Sequence, residues 1–226
     1  MYYLLDSANL EDVRYCNGFY PLAGVTTNPS IIAKENTDFW KLLEEIRKVT
    51  GTEKMLHVQS VQKSAEGIVE EGKLIQSRMG KNVYVKIPIG AEGLKAAMEL
   101  KRLGVGVTMT AIFTAAQALI AAQAGADFVA PYVNRLDNVV GDGSRVVEEI
   151  VRVLAVHGLE CRVLAASFKN AQQVHRCAMA GCQSVTVSAD LFRALIAHPL
   201  TDAAVEGFDR DWKRVYGERT LLSDQI

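Results

Sequence analysis

Short apolar, β-rich runs recur along the whole chain, at Tyr2–Asp6, Gly24–Thr27, Met55–Gln59, Val83–Ile87, Val105–Thr110, Phe128–Val133, Arg162–Ser167 and Ser184–Ser188. Their length and composition predict strands. Between them lie longer segments with apolar positions three residues apart. Phe39–Val49, with Trp40, Leu43, Ile46 and Val49 on one face, is typical; Glu66–Arg78, Gly93–Leu103, Val146–His157 and Ala171–Ala180 are others. That spacing predicts helices with one buried face. Eight strands alternating with helices predict a parallel sheet covered on both faces, and eight is the number that closes a (β/α)8 (TIM) barrel. The main rival, an open doubly wound sheet, usually has a Gly-rich phosphate turn after its first strand, and Asp6-Ser7-Ala8-Asn9 is not one.

No Pro- or Ser-rich linker and no low-complexity tract interrupts the alternation. Residues 1–226 are therefore expected to form one α/β barrel domain with an extra C-terminal helix at about 203–216. That helix carries an apolar stripe, Val205, Phe208, Trp212 and Val215. It could pack on its own barrel or dock on a neighbouring subunit.

Composition narrows the classes. Apolar residues make up 49% of the chain and charged ones 23%, enough for a full core and against disorder. The formal charge of −1 argues against a general nucleic-acid binder, which needs a basic surface. Leu103–Ala126 contains no charged residue and is long enough to span a bilayer. Its glycines, threonines and glutamines read better as a buried strand, Val105–Thr110, followed by an alanine-rich helix, so no membrane partner is expected. Cys16, Cys161, Cys177 and Cys182 form no CxxC pair, and the start of the chain does not look like a signal peptide. A reduced, cytoplasmic setting is expected. His175, Cys177 and Cys182 lie close in sequence, but no fourth ligand is spaced to join them, so no metal site is expected.

The reacting groups of a barrel sit at the C-terminal ends of its strands. The polar residues there are Asp6, Thr26 with Asn28, Gln59, Lys86, Thr110, Tyr132 with Arg135, and Ser167. Strand alternation puts Thr26 on the face of Asn28, Tyr84 on that of Lys86, Thr108 on that of Thr110, and Ala165 on that of Ser167. Val85, Ile87 and Ala166 are then left to face the helices. Lys86 is the most informative, because Val83-Tyr84-Val85-Lys86-Ile87-Pro88 is otherwise apolar and lysine is seldom buried without a reason. Burial disfavours the ammonium and leaves an amine able to attack a ketone and form an imine. The alternative is a lysine that snorkels or pairs at the strand end. The others have plain alternatives too. Asp6 could cap a helix, Asn28 before Pro29 and Ser30 could start one, Tyr132 could be core, and Arg135 could pair with Asp137.

Four segments resemble the transaldolase family: Ala23-Gly24-Val25-Thr26-Thr27-Asn28-Pro29-Ser30-Ile31-Ile32, Val85-Lys86-Ile87-Pro88 with Ala91-Glu92-Gly93-Leu94, Ala130-Pro131-Tyr132-Val133-Asn134-Arg135, and Val163-Leu164-Ala165-Ala166-Ser167-Phe168-Lys169. The likeness runs from Asp6 to about Tyr216 and is greatest to the small, single-domain branch that includes fructose-6-phosphate aldolases. The resemblance implies that Lys86 forms the Schiff base, and that Asp6 binds donor hydroxyls and assists proton transfer. It implies that Asn28 and Thr26 hold donor hydroxyls, and that Gln59, Thr110 and Tyr132 fix a proton-shuttling water. Arg135 and Ser167 would hold the substrate phosphate. No cofactor or metal is implied, since the iminium is itself the electron sink.

Within the family, transaldolases proper carry glutamate on the third strand and phenylalanine on the sixth, where this chain has Gln59 and Tyr132. Those two residues match the aldolases. The fifth strand, Val107–Thr114, is closer to transaldolases, and the Asp137–Ser144 loop differs from the aldolases. The resemblance thus implies reversible cleavage of fructose 6-phosphate to dihydroxyacetone and glyceraldehyde 3-phosphate. The alternatives are transfer of a dihydroxyacetone unit between sugar phosphates (sedoheptulose 7-phosphate and glyceraldehyde 3-phosphate) and a barrel that only binds a sugar phosphate. A homo-oligomer, a pentamer or a decamer of two rings, is also implied.

Overall fold

The computed structural model describes residues 1–223. In chain order its elements are β1 (Tyr2–Asp6), α1 (Leu10–Phe19), β2 (Leu22–Thr26), α2 (Pro29–Lys34), α3 (Phe39–Thr50), β3 (Met55–Gln59), α4 (Ala65–Met79), β4 (Val83–Pro88), α5 (Ala91–Arg102) and β5 (Gly106–Ile112). There follow α6 (Ala115–Gln123), β6 (Phe128–Pro131), α7 (Val133–Asp137), α8 (Gly143–Val156), β7 (Arg162–Ala165), α9 (Ala171–Met179), β8 (Ser184–Val187), α10 (Ala189–Ile196) and α11 (Pro199–Tyr216). The strands pair in sequence order, all parallel, and β8 returns to β1, so the sheet is a closed (β/α)8 barrel. Each predicted strand is present, and Leu103–Ala126 resolves into β5 and α6. Among the described residues no helix is long and apolar enough to cross a membrane.

Local chemistry sets the helix starts. Asn9 Oδ1 accepts from the Glu11 and Asp12 amides, Asp38 caps α3, Ser64 caps α4, and Asp142 caps α8. Each such cap contributes about 1 kcal/mol. Gly93, like Gly24 and Gly143, is fixed by close approach: a Cβ on it would lie 2.3 Å from the Pro88 carbonyl oxygen, so only glycine lets α5 sit against the end of β4.

The chain forms two compact units, Met1–Phe192 and a second beginning at Arg193. The second contains α11, which starts earlier than the apolar stripe predicts because Pro199 occupies its first turn and His198 Nδ1 accepts from the Leu200 amide. The Trp212 ring lies tilted against Tyr216, with centroids 4.5 Å apart, and its indole N–H donates to the Arg219 carbonyl oxygen at 2.6 Å.

Aromatic residues plug the centre of the barrel. His57 stacks on Tyr84 (centroids 4.7 Å apart), Tyr84 meets Phe128 edge-on at 5.0 Å, and the Arg162 guanidinium lies 4.1 Å from the Phe128 centroid. Leu4 and Leu164 complete this layer with Phe128, and all three are buried. Aromatic contacts of this kind add about 0.5–1.5 kcal/mol each beyond the area they bury. Leu164 in the interior corrects the expected parity of β7. Alternation from Leu164 puts Ala166, not Ala165, on the barrel side, so Ala166 does not share the helix-facing side with Val85 and Ile87. Ser167 leaves the strand altogether, with φ of 63°.

Candidate active site

Lys86 stands on β4, two residues beyond Tyr84 and on the same face, immediately above the aromatic plug. It is 5% exposed, and its Nζ donates to the Thr27 carbonyl oxygen at 2.7 Å. Burial pushes its pKa below the ordinary lysine value, against the opposing pull of the Asp6 carboxylate. Burial prevails because water is withdrawn from the whole ammonium while Asp6 offers no direct contact to it. Burial thus favours the neutral amine relative to an exposed lysine, with one N–H fixed on the Thr27 carbonyl.

Asp6 ends β1 in register with Thr26 of β2. The Thr26 hydroxyl donates to Asp6 Oδ1 at 2.6 Å and lies 2.6 Å from the Thr186 hydroxyl of β8. Thr26 is fully buried, so its hydroxyl serves the carboxylate from below. Asn28 follows β2 and caps α2, with its Oδ1 accepting from the Ile31 amide at 3.0 Å. The helix start expected at this position is therefore real, and it leaves the amide NH2 as the group able to reach a ligand. Gln59 ends β3 in register with Lys86, and a cavity of about 190 Å3 opens beside it, lined by Thr27, Asn28 and Phe39.

Across the mouth, the Thr110 hydroxyl lies 3.0 Å from the Tyr132 hydroxyl. A break in the β5–β6 register follows Thr110, where Ala111 adopts φ of 57°. Tyr132 sits at the start of α7 with the Arg135 guanidinium 4.7 Å from its ring centroid. Asp137, the other partner considered for Arg135, accepts instead from the Gly143 amide at 2.8 Å and Gln173 Nε2 at 2.6 Å. The Asn134 amide donates to the Ser167 carbonyl oxygen at 2.8 Å, which ties the Arg135 helix to the end of β7. Two non-glycine residues in the left-handed region, Ala111 and Ser167, thus stand at this rim, and strained backbone of this kind concentrates at functional sites.

Three residues of the site, Thr27, Thr186 and His57, lie outside the sequence reading. Thr27 supplies the carbonyl for Lys86, and Thr186 the hydroxyl beneath Thr26. His57 Nδ1 is 2.8 Å from the Thr108 hydroxyl, and Thr108 is in register with Lys86. His57 is wholly buried with Nε2 unpartnered; burial first, then the charges of Lys86 and Arg162, hold its pKa well below 6.5. It is a neutral imidazole under the site. The polar alternation Ser184-Val185-Thr186-Val187, and His57 at the same parity as Gln59, were signals that could have located both.

Fold and site together define a closed barrel with a buried lysine, Lys86, at the carboxyl ends of its strands. The chain belongs to the Transaldolase/Fructose-6-phosphate aldolase family, whose match spans residues 3–219, and its function is of the transaldolase/aldolase type. Solved structures share the fold at low identity. One described as "Native KDPGal structure" matches with a TM-score of 0.56 and 18% identity, covering 94% of this chain and 93% of that one. A cube-shaped, highly porous protein cage designed by fusing symmetric oligomeric domains gives 0.59 at 16% identity, over 95% of this chain and 77% of its own. A flavocytochrome b2 mutant with benzoylformate gives 0.60 at 12%, over 83% and 57%. At these identities the likeness is one of fold alone.

Proposed function

We propose that the protein is a Schiff-base aldolase that reversibly cleaves fructose 6-phosphate to dihydroxyacetone and glyceraldehyde 3-phosphate. The observation that carries this reading is Lys86, an amine 5% exposed above an aromatic floor, with its pKa lowered chiefly by burial. Its nitrogen attacks the ketone carbon, water leaves, and a protonated imine forms. The bond between C3 and C4, one carbon removed from the iminium carbon, then breaks. Its electrons flow into the iminium to give an enamine, while the Asp6 carboxylate takes the proton of the hydroxyl that becomes the aldehyde. Protonation of the enamine and hydrolysis of the imine release dihydroxyacetone and restore the amine.

Tyr132, hydrogen-bonded to Thr110, is the proton donor to the enamine, and Gln59 joins the pair in holding the hydrolytic water. Asn28 holds donor hydroxyls through its free amide NH2, and Thr26 acts on them through Asp6. Arg135 and Ser167 grip the phosphate. The likeness of β5 to transaldolases favours a second reading, in which the enamine waits for an aldehyde acceptor. Product analysis from fructose 6-phosphate, with and without erythrose 4-phosphate, separates the two. Free dihydroxyacetone without acceptor supports the aldolase; dihydroxyacetone transfer only with acceptor supports the transaldolase.

The same reading includes a homo-oligomer, a pentamer or decamer, in which α11 reaches a neighbouring copy. Val205, Phe208 and Val215 on α11 are exposed, as expected of a surface awaiting a partner. Light scattering in solution tests this, and a monomer contradicts it. All four cysteines are buried, and a cytoplasmic setting belongs to the same proposal.

A further inference from the structure

We propose that Thr186 is a positioning residue for the Asp6 carboxylate, acting through a directed pair of buried hydroxyls, Thr186 to Thr26 to Asp6. The proposal rests on the aldolase-type reading of the site and adds a strand to it, since β8 otherwise contributes no group to the chemistry.

The direction follows from donor counting. Thr26 Oγ1 lies 2.6 Å from Asp6 Oδ1 and 2.6 Å from Thr186 Oγ1. An ionised carboxylate only accepts, so the single Thr26 proton goes to Asp6. Thr186 must then donate its own proton to the Thr26 oxygen. Each hydroxyl polarises the next, and the pair is secluded from water, with Thr26 0% and Thr186 2% exposed.

The placement is specific. β1 lies between β2 and β8 in the barrel, with Asp6 in register with Thr26 and Leu4 in register with Thr186. The hydroxyl pair therefore crosses the interior face of β1 directly beneath Asp6. It holds Oδ1 from below and leaves Oδ2 as the oxygen presented upward to a ligand. A carboxylate so held keeps one rotamer, which matters for the step in which it must meet one substrate hydroxyl. Imine formation on Lys86 does not need it. When Asp6 gains the substrate proton on Oδ2, Oδ1 goes on accepting from Thr26, so the carboxyl stays hydrogen-bonded in either charge state.

The test compares Thr186→Val, which removes the hydroxyl at nearly constant shape, with Thr186→Ser, which keeps it. Two rates are read: trapping of dihydroxyacetone on Lys86 by borohydride, and steady-state cleavage of fructose 6-phosphate. In Thr186→Val trapping should stay within about twofold while kcat for cleavage falls about tenfold, the rate equivalent of one buried hydrogen bond. KM should change little, and Thr186→Ser should restore kcat. If Thr186→Val does not fold, Thr186→Ala offers the same comparison without the added methyl. Cleavage at the unaltered rate, or trapping and cleavage falling in the same proportion, overturns the proposal and indicates a purely structural hydroxyl pair. Absence of any trapped adduct in the unaltered protein removes the aldolase reading itself, and the proposal with it.

Discussion

The hydroxyls of Thr110 and Tyr132 lie 3.0 Å apart at the ends of two adjacent strands, and the Arg135 guanidinium covers the tyrosine ring. The phenol is thereby fixed in place, an arrangement suited to delivering a proton at a defined point. In Tyr132→Phe the ring and its contact with Arg135 persist while the donor is lost. Cleavage of fructose 6-phosphate should fall about 10²-fold, the usual worth of a positioned general acid, with transfer to erythrose 4-phosphate retained. An unchanged ratio of cleavage to transfer would show that Tyr132 does not sort the two reactions.

Lys86→Ala should leave a folded barrel with no detectable turnover. The Thr27 carbonyl loses its donor, a cost of about 1–3 kcal/mol, partly offset because an amine no longer has to be buried. Circular dichroism and activity on the same sample check the pair of outcomes, and retained turnover would remove Lys86 from its role.

The pH dependence of activity follows from the same residue. Burial lowers the Lys86 pKa, so the reactive amine is depleted as pH falls through that lowered value and is the main form above it. Inactivation by cyanoborohydride with dihydroxyacetone should rise with pH and level off below the ordinary lysine value of 10.5. A rise that continues to 10.5 would mean that Lys86 is not held as an amine.

His57 gives a separate prediction for stability. Its pKa in the fold is well below 6.5, while in the unfolded chain it binds a proton near that pH. Between the two values the unfolded state holds more protons, so stability is lost as pH falls below 6.5, by up to about 1.4 kcal/mol per pH unit from this one group. His57→Phe keeps a ring against Tyr84 and Phe128 and has nothing to protonate. Its melting temperature should fall less steeply from pH 7 to pH 5 than that of the unaltered protein, and equal slopes would contradict the assignment.

Arg135 is exposed at the rim, and in the proposed reading its charge serves the substrate phosphate. Arg135→Gln should raise KM for fructose 6-phosphate by about 10- to 100-fold, the worth of a charge-assisted hydrogen bond. Imine formation with unphosphorylated dihydroxyacetone should be nearly unaffected. Equal losses on both would place Arg135 outside the phosphate site.

Much of this was legible in the residues because a barrel strand alternates strictly. Lys86 above Tyr84 and Thr110 above Thr108 follow from parity alone, since β4 and β5 are regular as far as those positions. Parity failed on β7, where Leu164 enters the core and Ser167 turns into the left-handed region, a backbone choice that a serine does not advertise. His57 and Thr186 were overlooked because each has the right parity one layer below the rim, where apolar filling is the usual rule. Asn28 carried two meanings at once. Its helix-start signal was correct, and that role uses the carbonyl oxygen of its side-chain amide and leaves the NH2.

The most direct test of the account is peptide mass spectrometry of the protein reduced with borohydride in the presence of dihydroxyacetone. The account predicts a single adduct on the peptide containing Lys86. No adduct, or one on a surface lysine such as Lys95 with Lys86 unmodified, would contradict it.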